Sequence, residues 1–375
     1  MMEFSPFDVT CMSRALQLAR LGEFTAHPNP RVGCVIASNG VVIGEGYHHR
    51  AGEPHAEVNA LRAAGDAARG AVAYVTLEPC NHQGRTGPCS QALIDAGVAE
   101  VVYGMADPHR TAAGGIEALR EAGIRVHGPL LEEQARKLNA GFIKRCETGL
   151  PFVTLKLAMS LDGRTAMASG ESQWITGMEA RRDAHKLRAR SGAIVTGIGS
   201  VLLDNPAMTV REAMLAQENA AEIAARQPLR VVVDSRCRTP RNAAIVQEGG
   251  AVLIVSAHGS AGSAVSLLDG YPANVEGVDL ASEGRVDLLK LLQLLAAREC
   301  NDVLVEAGAR LGGAFLEAGL VDRLVIYMAA KLLGSDARPL LTLPFEHMAQ
   351  AIDLHIEDIR AVGADWRITA IPKKR

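Results

Sequence analysis

The sequence predicts two α/β domains in series, and three observations carry that expectation. At 375 residues the chain exceeds what one hydrophobic core usually serves, roughly 250 to 300 residues. Short β-branched runs alternate with helical stretches in both halves. Between the halves, the turn formers Thr148-Gly149-Leu150-Pro151 interrupt the pattern, which divides the chain into domains at 1–149 and 150–375.

Taken in order, Ser5-Pro6 followed by Val9, Met12, Leu16 and Ala19 reads as a capped amphipathic helix with proline in its first turn. RVGCVIAS, Asn39-Gly40 and VVIGEG form a hairpin signal, because a type I′ turn needs positive φ at both central positions. Helices are then expected at Ala56–Ala64, from Ser90 to Ala96 and near Gly115 to Ala122. They alternate with strands in AVAYVTL, EVVYGM and IRVHG, which gives a mixed sheet with helices on both faces. Leu130 to Cys146 reads as one last amphipathic helix.

The second half restarts with PFVTLKLAMS and continues through AIVTG, LRVVVDS, AVLIVS, NDVLVEAG and DRLVIYMAA. This alternation predicts an open α/β sheet, where ligands gather at the carboxyl ends of the strands. The polar, alanine-rich stretch from Glu212 to Gln227 is expected to be a surface helix or insertion.

Composition narrows the function. With 48% hydrophobic and 22% charged residues the chain is ordinary for a globular protein. A net charge of −3 offers no global attraction to polyanions, which favours small-molecule chemistry over nucleic acid. The first twenty residues do not read as a signal peptide, and no apolar run approaches ~18 residues, so no membrane association is expected. Seven cysteines without an export signal argue for the cytoplasm, where close Cys and His groups suggest metal or catalysis. Cys11, Cys34, Cys146, Cys237 and Cys300 have no partner at metal spacing and are expected to be buried small apolar residues.

One constellation does have that spacing. His55-Ala56-Glu57 precedes Pro79-Cys80 and, after eight intervening residues, Cys89. One imidazole and two thiolates hold a zinc ion and leave a tetrahedral position for water. Glu57 then faces that water without being a ligand, which is the zinc-deaminase pattern. Such a carboxylate moves protons between water, ring nitrogen and departing ammonia. The helix after Cys89 favours thiolates through its positive end. A closed zinc knot completed by His48, His49 or His82 is the alternative, and it leaves Glu57 unexplained.

The stretches HPNPRVGCVI at 27–36, HAEVNAL at 55–61 and TLEPCNHQGRTGPC at 76–89 resemble the deaminase half of bifunctional riboflavin biosynthesis proteins of the RibD type. LKLAMSLDGRTA at 155–166, ESQWITG at 171–177, GSVLLDNPAMTVR at 199–211 and VEAGARLGGAFL at 305–316 resemble the reductase half. The resemblance covers nearly the whole chain. It implies a cytidine-deaminase-like three-layer α/β/α domain followed by a dihydrofolate-reductase-like α/β domain, using Zn2+ and NADPH.

The resemblance also implies residue roles. Asn29 would bond the pyrimidine, with His82 and Arg85 near its ribose phosphate. An Asx-turn for Asn29 and a solvated cation for Arg85 are the plain alternatives. Ala158, Trp174, Ser200, Asp204, Ser235 and the loop Gly308, Ala309, Arg310, Leu311, Gly312, Gly313 and Ala314 would contact NADPH. Ser172, Arg188, Met208, Arg211 and Glu306 would bind the substrate, the arginines presenting planar forks to phosphate.

Lys156 and Asp204 are expected to orient the sugar's first carbon for hydride transfer. Lys156 and Glu306 stand out as polar residues in apolar strand runs. Arg236 and Arg238 are candidates for a 2′-phosphate. Without the family motifs, the glycine-rich strand–helix joints at Gly197–Ser200 and Gly308–Gly313 are weak signals, since such joints are common packing devices. The partner expected is a small pyrimidine nucleotide, and the family's self-association adds a homo-oligomer. The rivals are a nucleic-acid base deaminase with an accessory domain, which needs a basic, aromatic-lined channel, and a zinc-stapled nucleotide sensor that binds without reacting.

Overall fold

The computed structural model describes residues 4–83, 87–109, 111–258 and 269–373. The chain separates into two compact units, Met1–Gly149 and Leu150–Arg375.

In the first unit, α1 (Pro6–Leu21) is closed by a capping box. Ser5 Oγ accepts from the Asp8 amide at 3.2 Å while the Asp8 carboxylate accepts from the Ser5 amide at 2.7 Å. β1 (Gly33–Ser38) and β2 (Val41–Tyr47) form the expected hairpin, with Asn39 at φ 50° and Gly40 at φ 77°. After α2 (Ala56–Ala64) come β3 (Val72–Val75), α3 (Cys89–Ala96), β4 (Glu100–Tyr103), α4 (Gly115–Glu121) and β5 (Arg125–His127).

The sheet order is β2-β1-β3-β4-β5, with β1 antiparallel to both neighbours and β3, β4 and β5 parallel. β1 is buried on both faces, so helices cover the sheet on either side. Gly44 and Gly46 on β2 let α2 lie backbone to backbone on the sheet. A Cβ at Gly46 would stand 2.4 Å from the Ala56 carbonyl oxygen, and one at Gly44 would stand 2.4 Å from that of Ala60.

The single helix expected from Leu130 to Cys146 is two, α5 (Glu132–Leu138) and α6 (Ala140–Thr148). Asn139 breaks it. Its Oδ1 accepts from the Arg31 amide at 2.8 Å and its Nδ2 donates to the Arg31 carbonyl at 2.9 Å. An asparagine tied to another segment's backbone competes with helix continuation.

In the second unit the elements run β6 (Phe152–Ser160), β7 (Arg164–Ala166), α7 (Met178–Arg190), β8 (Ala193–Gly197), α8 (Ile198–Asp204), β9 (Leu229–Val233), β10 (Val252–Ser256) and β11 (Val275–Asp279). The short β12 (Ala281–Ser282) and β13 (Arg285–Val286) follow. β14 (Asp302–Val305), β15 (Arg323–Ala329), β16 (Arg338–Pro339), β17 (Leu354–Val362) and β18 (Asp365–Pro372) complete the strands. The main sheet is nine-stranded, in the order β11-β10-β9-β8-β14-β6-β15-β18-β17. It is parallel from β11 through β15 and ends in an antiparallel hairpin. Alternate strand residues feed two apolar clusters. Val153, Leu155 and Leu157 join one, and Ile194, Val232, Leu304 and Val325 the other. Both faces are therefore covered, as long parallel sheets require.

One element is missing from the sequence reading and two expectations need correction. The β17–β18 hairpin went unpredicted because a register shift between Ile356 and Asp358 breaks the period-two pattern, and because β17 is exposed along most of its length. Glu212 to Gln227, expected as a surface helix or insertion, is not one continuous helix: it has a 3-10 turn at Glu212–Met214 and a short helix at Ala220–Ala225, anchored by buried Leu215 and Ile223. Of the unpartnered cysteines, Cys11, Cys34 and Cys300 are buried, but Cys146 and Cys237 are only half-buried.

Candidate active sites

α2 delivers the first ligand candidate from its N-cap, His55. α3 begins at Cys89 itself rather than at Ser90, with Pro88 as N-cap, so this sulfur lies at the helix's positive end. The Cys80 segment is docked alongside, since its carbonyl accepts from the Ser90 amide at 3.2 Å and its Sγ from the Cys89 amide at 3.5 Å.

His55 Nδ1 lies 3.2 Å from Cys89 Sγ and 3.5 Å from Cys80 Sγ. All three donor atoms fall within 4.8 Å of one another. Donors on a tetrahedral zinc ion stand roughly 3.5–3.8 Å apart given its usual bond lengths, so the set is already near the required spacing. The Cys89 thiol bonds Cys80 and, with His55, holds the Cys80 sulfur down to about 4, while Cys89 itself is pushed up. A thiolate beside an imidazole and a second sulfur suits zinc chemically. Among the described residues this is the one group of three or more such side chains within ligand reach.

Glu57, two residues on, is 3% exposed and lies beside the Cys89 sulfur. Burial, followed by the charge on Cys80, raises its carboxyl to about 7 despite the opposing pull of His55. That value suits a group that both takes and gives protons near neutrality.

His48, considered in the sequence only as a fourth ligand, has another place. Its Nε2 stands 3.0 Å from Asn29 Nδ2 and its Nδ1 3.3 Å from the Pro54 carbonyl, and its ring meets the His55 ring edge-on at 5.0 Å. Burial, with His55 adding, lowers it to about 4, so it stays neutral and links Asn29 to the cluster. Asn29 follows a cis His27–Pro28 bond and is half-buried. His82 is exposed. Arg85 lies outside the described residues.

Sequence reasoning also missed Glu78. Its oxygens accept from the amides of Asp107 (3.1 Å), Gly114 (3.0 Å) and Ile116 (3.3 Å), docking that loop beside Cys80. The loop's Asp107 is pushed up to about 6, mainly by burial. The available signal was a charged residue at the end of an apolar run, immediately before Pro79-Cys80.

In the second unit four of the expected substrate and catalytic residues converge at the carboxyl end of β14. Arg188 on α7 donates to Glu306 through Nε (2.6 Å to Oε1) and Nη2 (2.9 Å to Oε2). Its Nη1 donates to the Thr209 carbonyl at 3.2 Å, and Nη2 lies 3.6 Å from Met208 Sδ. Lys156 on β6 places Nζ 4.0 Å from Glu306 Oε2. Burial alone would raise Glu306, yet the Arg188 and Lys156 charges hold it at about 2. Lys156 is lowered by burial, partly offset by Glu306. The fork of Arg188, expected on a phosphate, is thus occupied by Glu306, whereas Arg211 is exposed.

Asp204 has different company from Lys156: its Oδ1 accepts from Ser172 Oγ at 3.0 Å. Trp174 is exposed, stacked under Arg181 at 4.2 Å, and its carbonyl accepts from Lys331 Nζ. Ser200 lies in α8 close to Gly308, where a Cβ would stand 3.9 Å from the Ser200 hydroxyl. Ala158 sits half-buried on β6, and Ser235, Arg236 and Arg238 follow β9, two strands away from β14.

The expectation for the second glycine loop changes. The helix starts at Ala309, not after Gly313, with Gly308 as N-cap. Gly312 and Gly313 lie inside it and serve packing: a Cβ at Gly313 would stand 2.1 Å from the Thr342 carbonyl oxygen. The backbone amides at this helix start, with Ser200 beside them at the end of parallel strands, remain a fit for a pyrophosphate.

Comparison with known proteins agrees with both geometries. Residues 6–105 match the cytidine and deoxycytidylate deaminase zinc-binding region, and residues 151–368 match the RibD C-terminal domain. The riboflavin biosynthesis protein RibD of Escherichia coli is 51% identical over 94% of this chain and 96% of its own length. That of Haemophilus influenzae is 46% identical over 100% of both chains. Among solved structures, Acinetobacter baumannii RibD superposes with a TM-score of 0.89 at 44% identity, over 98% of this chain and 99% of that one. A deaminase/reductase from Thermotoga maritima gives 0.85 at 31% identity, over 98% and 99%. Likeness of this extent, spanning both halves in one order, places the chain in the RibD family of riboflavin biosynthesis proteins.

Proposed function

We propose that the first unit converts 2,5-diamino-6-(5-phosphoribosylamino)pyrimidin-4(3H)-one to 5-amino-6-(5-phosphoribosylamino)uracil with release of ammonia, and that the second unit reduces the ribosyl group of that product to ribityl. The observation that carries the first step is Glu57, buried beside His55, Cys80 and Cys89. His55, Cys80 and Cys89 would hold a zinc ion, which would supply the Lewis acidity that makes water a nucleophile near neutral pH. The Glu57 carboxyl would take one proton of the attacking water and pass it to a pyrimidine ring nitrogen, then move the remaining hydroxyl proton to the amine as the C–N bond breaks and the carbonyl forms. Asn29, oriented by His48, donates to the pyrimidine. His82 and Arg85 serve the phosphate.

In the second unit the helix start from Gly308 to Ala314, with Ala158, Trp174, Ser200, Asp204 and Ser235, holds NADPH, which when bound supplies the hydride. Ser172, Arg188, Met208, Arg211 and Glu306 form the sugar-phosphate site. Exposed Arg211 meets the phosphate, while Arg188 fixes Glu306 as an ionised acceptor for sugar hydroxyls. Lys156 and Asp204 flank the first sugar carbon, and Lys156, eased toward its neutral form by burial, moves the accompanying proton.

Among the described residues no helix is long and apolar enough to cross a membrane. We place the chain in the cytoplasm, acting on a small nucleotide rather than nucleic acid. It self-associates in this reading, supported by the exposed β17 edge with Leu354, Ile356 and Ile359.

The test is one assay with purified protein and the diaminopyrimidine nucleotide, following ammonia and then NADPH oxidation. Ammonia should appear first and oxidation should depend on it. No ammonia from the zinc-loaded protein, or oxidation without prior deamination, would overturn the proposal. Light scattering gives the mass in solution, and a monomer at all concentrations removes the self-association.

A further inference from the structure

β9 carries a charge where a central parallel strand normally carries an aliphatic side chain. Arg230 is 0% exposed, and its neighbours in register, Ile194 on β8 and Val252 on β10, are apolar. Its hydrogen bonds go to backbone carbonyls: Nη1 donates to Glu248 (2.6 Å) and Ala207 (3.3 Å), and Nη2 to Gly250 (2.7 Å). Nε is buried without an acceptor. Burying a guanidinium whose hydrogen bonds go to carbonyls, with only the Glu248 charge to offset the burial, is costly, and a leucine would fill the strand without that cost. The two shorter bonds fasten the Glu248–Gly250 turn before β10, and the third, at 3.3 Å, reaches Ala207 in the loop that follows α8.

Ala207 belongs to Asn205–Arg211, which joins α8 to the 3-10 turn at Glu212–Met214. Asn205 at φ 42° and Met208 at φ 56° hold left-handed backbone, which non-glycine residues adopt at a cost. Side chains from other segments tie the loop. Gln227 accepts from the Val210 amide (2.8 Å) and donates to its carbonyl (2.9 Å), and Arg188 donates to the Thr209 carbonyl (3.2 Å). Asn205 Oδ1 accepts from the Ala244 amide at 2.8 Å. Arg230 holds the carbonyl immediately before Met208, the residue whose φ is least natural for its side chain.

We propose that Arg230 is a positioning residue of the reductase, fixing the loop Asn205–Arg211 in the shape that presents Met208 and Arg211 to the sugar phosphate. The proposal rests on the reading of the second unit given above and assigns Arg230 no contact with either ligand.

The test uses full-length Arg230→Met and Arg230→Lys. Hydrogen exchange of the ligand-free proteins reads the loop directly. Amide exchange across 205–211 should accelerate about tenfold or more in Arg230→Met and less in Arg230→Lys, which keeps a charge that can reach one carbonyl. With the deaminated nucleotide and NADPH, KM for the nucleotide should rise about tenfold, while the Kd for NADPH and the rate of ammonia release stay within about twofold.

Tryptophan emission from Trp174 and Trp366, both in the second unit, serves as the folding control, and ammonia release checks the first unit. Unchanged loop exchange overturns the proposal, and so does a fall in kcat alone with KM intact, the mark of lost folded protein. Should Arg230→Met fail to fold, the intermediate behaviour of Arg230→Lys decides. A wild-type protein that reduces no ribosyl group would remove the functional reading, while the exchange result would still judge the clamp.

Discussion

Replacing Arg188 with methionine tests the reading of the second unit most sharply, because it strips a buried carboxylate of its bidentate partner. Glu306 is 8% exposed and keeps only Lys156, at 4.0 Å, once the guanidinium is gone. Arg188 and Lys156 hold the carboxyl at about 2, against 4.5 for the free group. At about 1.4 kcal/mol per unit, that is roughly 3 kcal/mol of folded-state stabilisation. It agrees with the ~3–5 kcal/mol typical of breaking a buried pair.

Both tryptophans, Trp174 and Trp366, belong to the second unit, so tryptophan emission during urea unfolding of the full chain reports on that unit alone. Arg188→Met should lose about 3 kcal/mol at pH 7. The double variant Arg188→Met/Glu306→Leu should recover most of it, since Lys156, already lowered by burial, can shed its proton. The pH dependence has a fixed sign. The folded pKa of Glu306 is depressed, so its contribution is complete above the free value of 4.5 and fades as pH falls toward about 2. The wild-type advantage over Arg188→Met should shrink over that window. A cost under ~1 kcal/mol, or a double variant no better than the single, would refute the buried-pair argument.

Further predictions concern the first unit. Glu57→Gln should bind zinc as the wild type does yet lose ammonia release by roughly 100-fold or more, and undiminished release would assign proton transfer to another group. A strong chelator should stop ammonia release but leave NADPH oxidation on the deaminated nucleotide, because the units have separate apolar cores. Loss of both activities would contradict that independence. Asn139→Ala removes two hydrogen bonds to Arg31 and should destabilise the first unit by roughly 1–3 kcal/mol. Far-ultraviolet circular dichroism would show an earlier transition with tryptophan emission unmoved, whereas a coincident shift in both would place the damage elsewhere.

The sequence made elements legible where period and punctuation coincided. Asn39-Gly40 between two alternating runs allows little but a hairpin, and His55-Ala56-Glu57 with two spaced cysteines allows little but a three-ligand zinc site. Elements disappeared where a local rule was broken by a distant contact. Asn139 ends a helix for the sake of Arg31, which no window of neighbouring residues can reveal. The offset in β17 puts two residues where one is expected, and Gly312-Gly313 answer the approach of Thr342 rather than a ligand. Glu78, His48 and Arg230 escaped for the same reason. Each is defined by what it holds at long sequence separation, and their types alone are compatible with ordinary surface or core positions.

The seam between α2 and β2 has an evolutionary corollary. At positions 44 and 46 the smallest added side chain collides with main chain, so neither site offers substitutions of graded size. The backbone height of Glu57 above the sheet is accordingly hard to retune in small steps. On the function proposed above, drift in what this unit accepts falls to the loops that carry Asn29, His82 and Glu78, while Glu57 keeps its level.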